Sequence, residues 1–248
     1  MARVMLLALL IGMSWWLPAD AASTLPTYSG DQFEQLFSDA PLDVAEEIGV
    51  GDIVGNPLID ARIRALAEAR GYRLRPQATT ELVSIPGGLI HPEAAAAWDL
   101  LRAAADAAGH SIRIVSGYRT YEQQRSLFLS RLTSHSDTAI DTRLRWSAPP
   151  GYSKHHTGYA VDLAVAGSDH QNFGSTGAYR WLAADNYHNA KRFGFIPSYP
   201  PDAAPGGPNP EPWEWLYVGV ELIKCRGDLT CDAVTRGQGT ALVHTWLI

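Results

Sequence analysis

Residues 153–162, SKHHTGYAVD, constrain this 248-residue chain more than any other segment. Small and β-branched residues over 159–165 predict a strand, in which alternate side chains point to the same face. Asp162 would project from that strand between two alanines, which leave room for a metal ion. Gly158 permits a turn that carries His155, just before the strand, back toward the carboxylate. His155 and Asp162 are therefore candidate ligands of one metal ion.

A catalytic zinc site needs a third ligand from the protein. Catalytic zinc usually takes three protein ligands and leaves a fourth position for water, whose pKa falls to about 7 on the metal. The downstream segment EPWEW, residues 211–215, supplies carboxylates but no histidine. Without further support, the alternative is that His155 hydrogen-bonds within a loop and Asp162 closes a surface turn, because short motifs often match by chance.

Four segments, taken in order, resemble the VanY-type D-alanyl-D-alanine carboxypeptidases, which are zinc peptidases of the bacterial cell wall. The resemblance covers residues 82–220. Its most specific element is S-x-H-x-x-G-x-A-x-D, matched at Ser153, His155, Gly158, Ala160 and Asp162. The other segments are residues 116–121 with Gln124, residues 181–197 and residues 211–219. The resemblance implies a hedgehog-like or D-Ala-D-Ala-peptidase-like α+β fold, in which helices flank an antiparallel sheet.

The resemblance also implies roles for individual residues. His155 and Asp162 correspond to zinc ligands, and Glu211 corresponds to the general base that moves a proton from water to the leaving amine. Arg119 corresponds to an arginine that holds the scissile carbonyl or the anionic intermediate. Two further positions lie near the substrate in the family and are matched here by Gln124 and Ser153.

Glu214 stands where the family has its second zinc-binding histidine. A carboxylate oxygen binds zinc at nearly the distance of an imidazole nitrogen, so His155, Asp162 and Glu214 can form a site for one zinc ion. A second interpretation is that metal binding is weak or lost and the cleft binds wall peptide without cutting it. A third interpretation places a substitute ligand in the site, taken from His156, His188 or His244.

The amino terminus predicts an exported protein. A basic start, an apolar core over residues 4–17 and an Ala-Asp-Ala cleavage pattern ending at Ala21 are typical of a signal peptide, here residues 1–21. The apolar core is too short for a membrane anchor. Export to an oxidising compartment predicts a disulfide between Cys225 and Cys231. We therefore expect a periplasmic or extracellular protein.

Composition agrees with one exported globular domain. The hydrophobic content of 46% is enough to bury one sizeable core, and the net charge of −6 gives no indication of nucleic-acid binding. An amphipathic stretch over residues 60–69 predicts a helical N-terminal extension over 22–77, which precedes a peptidase-like domain over 78–224 and a tail over 225–248. We expect a monomer without a membrane span.

The order of predicted elements supports the same fold class. Helices and strands without regular alternation indicate an α+β domain with an antiparallel sheet. Predicted helices cover residues 92–108, 121–132 and 179–193, predicted strands cover 112–115 and 218–223, and a polar loop over 133–151 is expected to cover the cleft. With one zinc ion and a peptidoglycan stem peptide as partner, the expected reaction is removal of a terminal D-alanine. The alternatives are a stem-peptide endopeptidase and a non-catalytic wall-binding protein.

Overall fold

The computed structural model describes residues 25–45 and 51–225. The predicted signal peptide, Cys231 and His244 lie outside the described residues, so the disulfide stays a prediction. Within the described ranges, no helix has both the length and the apolar character that a bilayer crossing requires.

The described residues form seven α-helices, six β-strands and two short 3₁₀ turns. The helices are α1 (Gly30–Asp39), α2 (Pro57–Ala69), α3 (Pro92–Ala107), α4 (Tyr121–Leu129), α5 (Asp137–Leu144), α6 (Gly177–Lys191) and α7 (Val220–Cys225). The strands are β1 (Val83–Ile85), β2 (Gly88–Ile90), β3 (Ile112–Ser116), β4 (Ala160–Val165), β5 (Phe195–Tyr199) and β6 (Glu211–Tyr217). The 3₁₀ turns are Lys154–Thr157 and His170–Ser175.

A four-stranded antiparallel sheet forms the centre of the domain, with strand order β3-β4-β6-β5. Strands β1 and β2 make a separate antiparallel hairpin. Asp162 on β4 lies directly opposite Glu214 on β6. Because directly opposed residues of neighbouring strands share a face, this register brings two carboxylates together. The α+β fold with an antiparallel sheet, expected from the sequence, is confirmed.

The two faces of the sheet are covered by different helices. Helices α3 and α6 pack on the face that presents Val161, Leu163 and Trp215. Helix α1 packs on the opposite face, against Ala160 and Leu216. Since side chains alternate along a strand, Asp162 and Glu214 project from the face that α1 covers.

Helix α1 forms because its sequence supplies both a cap and an apolar stripe. Ser29 and Gln32 make a capping box at its start. Phe33, Leu36 and Phe37 follow at helical spacing and are all buried against the sheet. Helix α1 therefore packs as an integral layer of the domain. Helix α2, also within the extension predicted over 22–77, packs against α5.

Helix α6 contains a left-handed turn inside the predicted helix 179–193. Asp185, Asn186 and Tyr187 all have positive φ, which costs free energy for residues other than glycine. The Asn186 side chain accepts a hydrogen bond from the Tyr28 N–H at 2.8 Å and donates one to the Tyr28 carbonyl at 2.7 Å. The turn thereby fixes the segment that leads into α1.

Two sequence predictions of local structure were wrong. Residues 133–151 are not a continuous loop, because they contain α5, which is capped by Ser136 and buries Ile140 and Leu144 one turn apart. Residues 218–223 are not a strand, because Gly219 adopts a φ of 87° and ends the extended segment before α7. The last strand is β6, which places Glu211 and Glu214 on the sheet.

Candidate active site

His155, Asp162 and Glu214 converge at the edge where the 3₁₀ turn Lys154–Thr157 meets the sheet. His155 Nε2 lies 3.3 Å from Asp162 Oδ1 and 3.3 Å from Glu214 Oε2. One ligand atom from each residue falls within 4.8 Å of the other two, and all three residues are buried. Gly158, at a φ of 77°, ends the turn and makes this approach possible, as the sequence predicted.

His155 uses one ring nitrogen, Nδ1, in a hydrogen bond, so the other, Nε2, is available to a metal ion. Nδ1 lies 2.6 Å from the Gly117 carbonyl, so Nδ1 carries a hydrogen and donates it. His155 Nε2 and Asp162 Oδ1 are buried without any hydrogen-bond partner. Buried lone pairs without a donor cost free energy, and a cation among them would remove that cost. One imidazole nitrogen and two carboxylate oxygens are a donor set that fits zinc.

The charges of His155, Asp162 and Glu214 shift one another's pKa values. Burial and the Arg119 charge oppose protonation of His155, but Asp162 and Glu214 raise its pKa to about 9. Although burial acts in the opposite direction, His155 lowers the pKa of Asp162 and of Glu214. Metal ligation requires the neutral imidazole. A metal ion bound at neutral pH would therefore displace the proton from the His155 ring.

Glu211 is a separate buried carboxyl at the start of β6. Burial raises the pKa of Glu211 well above its usual range, and the negative charges of Glu214 and Asp162 raise it further. A carboxyl in such surroundings accepts and retains a proton more readily than one in water. Glu211 is therefore chemically suited to general base and acid work beside the three-ligand cluster.

One cleft of about 400 Å³ brings the sequence-predicted site residues together. Six of the seven line it: Arg119, Gln124, Ser153, Asp162, Glu211 and Glu214. The seventh, His155, is fully buried. It contacts the carboxylates of Asp162 and Glu214, which do line the cleft.

Arg119 and Gln124 both keep hydrogen-bonding capacity for a ligand. The backbone N–H of Arg119 donates to the His155 carbonyl at 3.2 Å, which ties the arginine to the turn that carries His155. Its Nε is buried without a partner. The Gln124 amide nitrogen donates to the Ala148 carbonyl at 2.6 Å, and its Oε1 is likewise buried without a partner. A peptide in the cleft can satisfy both atoms.

Two arginines that sequence reasoning missed also line the cleft. Arg131 and Arg143 have no carboxylate within 4.0 Å among the described residues, and the same holds for Arg119. Arg143 is buried and donates to the carbonyls of Phe128 and Leu127. Burial, with the charge of Arg131, lowers the pKa of Arg143 to about 10. No motif pointed to Arg143, because it lies in the segment predicted as loop.

The two substitute histidines within the described residues, His156 and His188, are not part of the cluster. His156 Nδ1 lies 2.7 Å from the Arg119 carbonyl, and its Nε2 accepts from the Gly151 N–H at 3.1 Å. Both ring nitrogens are thus used, and burial lowers the pKa of His156 to about 4. His188 lies on α6 outside the cluster. Among the described residues, Glu214 is the third member of the group that could hold a metal ion.

A histidine on a turn beside an antiparallel sheet, with two carboxylates and a further buried glutamate on that sheet, is an arrangement typical of metal-dependent hydrolases. The family model of VanY, D-alanyl-D-alanine carboxypeptidase, matches residues 88–220, and the chain belongs to that family. The family assignment made from the sequence is therefore confirmed.

Individual relatives agree with this assignment. The D-alanyl-D-alanine carboxypeptidase of Enterococcus faecalis is 39% identical over 117 residues, which are 44% of this chain and 40% of that protein. VanXYC of Enterococcus gallinarum, a bifunctional D-Ala-D-Ala dipeptidase and carboxypeptidase, is 31% identical over 133 residues, 53% of this chain and 68% of that protein. The chain thus spans less than half the length of the first relative.

A solved structure shows a similar fold. VanYB in complex with D-alanine-D-alanine is 34% identical to this chain, with a TM-score of 0.50. The match covers 59% of this chain and 82% of the VanYB chain.

Proposed function

We propose that the protein is an exported zinc-dependent D-alanyl-D-alanine carboxypeptidase that trims peptidoglycan stem peptides. The observation that carries this proposal is the convergence of His155, Asp162 and Glu214, two of whose facing atoms lack a hydrogen-bond partner, beside Glu211 and Arg119 in one cleft. The named activities of the relatives and the dipeptide bound by VanYB support the choice of substrate.

The metal site would consist of His155 Nε2, Asp162 Oδ1 and a carboxylate oxygen of Glu214. A zinc ion there supplies a Lewis acid and lowers the pKa of water. The chain's own contribution is to hold the ligands: the Gly117 carbonyl orients the His155 ring, and the β4–β6 register sets Asp162 beside Glu214. Such orienting contacts commonly decide metal affinity.

Glu211 carries the proton in the proposed reaction. Water attacks the carbonyl carbon of the terminal peptide bond while Glu211 accepts a proton from it. The carbon–nitrogen bond then breaks, and Glu211 returns the proton to the amine of the departing D-alanine. Surroundings that raise the pKa of Glu211 allow it to hold the proton between these two transfers.

Arg119 and the remaining cleft residues bind and orient the peptide. The Arg119 guanidinium stabilises the negative charge that develops on the carbonyl oxygen, an effect worth several kcal/mol, about 3, where water is excluded. Gln124 Oε1 accepts a hydrogen bond from a peptide N–H, and Ser153 lines the same cleft.

The charge of the cleft favours a carboxypeptidase over an endopeptidase. Arg119, Arg131 and Arg143 all line the cleft without a carboxylate partner among the described residues. A substrate that ends in a free carboxylate supplies the missing negative charge, whereas an internal peptide bond does not.

The test combines metal analysis with a defined substrate. Purified protein should contain or bind zinc, and it should release D-alanine from a pentapeptide ending in D-alanyl-D-alanine. The same peptide with a C-terminal amide should be a poor substrate. Binding without release would support the wall-binding alternative, and cleavage inside the stem would support the endopeptidase.

Export is proposed from the amino-terminal sequence. The exported protein should begin at Ala22 in amino-terminal sequencing, and Cys225 and Cys231 should resist alkylation unless a reductant is added. A mature chain that retains residues 1–21 would contradict the cleavage site.

A further inference from the structure

Lys154, the neighbour of the ligand His155, is a buried cation. Its residue is only 1% exposed. The ammonium lies 2.7 Å from Glu34 Oε2, donates to the Ser198 carbonyl at 3.0 Å, and sits 4.0 Å above the Tyr199 ring. A buried charge requires such partners, because desolvation alone would be too costly.

Glu34 comes from α1 and is shared by two cations. Its Oε2 pairs with Lys154 and its Oε1 pairs with Arg75. Two cations on one carboxylate leave a surplus of positive charge in this cluster. This surplus of positive charge favours a negatively charged carboxylate over a neutral imidazole at the nearby position 214.

Ser198 links this cluster to the ligand Glu214. Its hydroxyl donates to Glu214 Oε1 at 2.6 Å, while its backbone carbonyl accepts from Lys154. The oxygen that faces His155 is the other one, Oε2. Ser198 therefore occupies one carboxylate oxygen and leaves the second free for a metal ion.

We propose that Glu34, Lys154 and Ser198 form a positioning relay through which α1 fixes Glu214 as a single-oxygen metal ligand. The proposal rests on the proposed metal site and names the part of the chain that adapts the site to a carboxylate. It assigns α1 a role in metal binding in addition to packing. The three relay residues do not contact the metal or the substrate in this scheme.

The test is zinc affinity, measured by competition with a chromophoric chelator and without substrate. Ser198→Ala should weaken zinc binding about 10- to 100-fold, the range typical of residues that orient metal ligands. Ser198→Thr keeps the hydroxyl and should recover most of the affinity. Ser84→Ala, a matched change at an exposed position of β1, should leave zinc affinity at the wild-type value.

A double-mutant cycle separates positioning from a general loss of structure. In a Glu214→Ala background, Ser198→Ala should have no further effect on the residual zinc affinity, because the residue that it orients is gone. An equal loss in both backgrounds would overturn the relay. Loss of the donor to Glu214 Oε1 should lower the melting temperature of metal-free Ser198→Ala, while its circular dichroism spectrum should stay that of the wild type.

Glu34→Gln tests the distant end of the relay and should also weaken zinc binding. If that variant does not fold, Glu34→Gln with Lys154→Met removes both buried charges at similar volume and should fold with weakened zinc affinity. Wild-type affinity in Ser198→Ala and in the foldable Glu34 variant overturns the relay but leaves the peptidase proposal intact. An absence of zinc binding by the wild-type protein overturns both.

Discussion

Two buried charged clusters lie side by side in this protein and differ in how their polar atoms are satisfied. In the Lys154 cluster, composed of Glu34, Arg75 and Lys154, every charged group is paired with an opposite charge, although Arg75 Nε itself has no hydrogen-bond partner. In the ligand cluster, composed of His155, Asp162 and Glu214, two facing atoms have no hydrogen-bond partner.

The difference distinguishes charged groups that stabilise the fold from charged groups that serve the proposed site. Folding alone selects for buried charges that are paired, since an unpaired one is costly. Two buried ligand atoms that face each other without a partner lower stability, and we interpret them as atoms that a metal ion completes. The Lys154 cluster is therefore expected to affect mainly stability and ligand orientation, and the ligand cluster mainly chemistry.

The largest expected effect is on turnover. Glu211→Gln should lower kcat by about 10²- to 10⁴-fold, because the amide cannot accept the proton of water. Zinc affinity should remain close to that of the wild type, which metal titration of the same sample checks. Full activity in Glu211→Gln would remove Glu211 from the mechanism.

The next effect concerns stability and compares the clusters directly. Glu34→Ala leaves Lys154 buried without its carboxylate and should lower the free energy of unfolding by about 3 kcal/mol. Asp162→Ala should abolish zinc binding while costing the metal-free protein less stability than Glu34→Ala. Urea unfolding of both variants without metal measures this contrast, and a reversed order would refute it.

Acid should destabilise the Lys154 cluster in a defined window. Burial opposes ionisation of Glu34, but Lys154 and Arg75 lower its pKa from 4.5 to about 2. Because the folded-state pKa is the lower one, the stabilisation is complete above pH 4.5 and is lost as the pH falls toward 2. The shift corresponds to about 3 kcal/mol at most.

Unfolding free energies at pH 6 and pH 3 test this window. Glu34→Gln should show a smaller loss between the two pH values than the wild type. Identical pH dependence in the two proteins would show that Glu34 is not the titrating group.

The smallest expected effect is on substrate binding. Arg131→Gln removes an exposed guanidinium from the cleft rim and should raise KM for a peptide with a free terminal carboxylate about two- to fivefold. The value of kcat should change little, and an amidated peptide should show no difference. Arg145→Gln is the matched control, because Arg145 is exposed and already paired with Asp141.

Most residues of the candidate site could be predicted from short stretches of the sequence. His155 and Asp162 are separated by a turn and half a strand, so glycine chemistry and strand periodicity were enough to bring them together. Glu211 and Glu214 were found through the family resemblance, although no strand was predicted over them: the last predicted strand, 218–223, begins after β6 ends. The loop predicted over 133–151 failed because α5 is short and its apolar positions are few.

The sequence by itself determined the family, the α+β class and the residues of the ligand cluster, because these depend on short spacings and on matched motifs. Only the tertiary structure decided the contact between Glu34 and Lys154. Glu34 and Lys154 are 120 positions apart in the chain, and they meet because α1 packs on the face of the sheet that carries the ligands. No periodicity or motif encodes such a contact, since it arises from the burial of apolar surface elsewhere along the same helix.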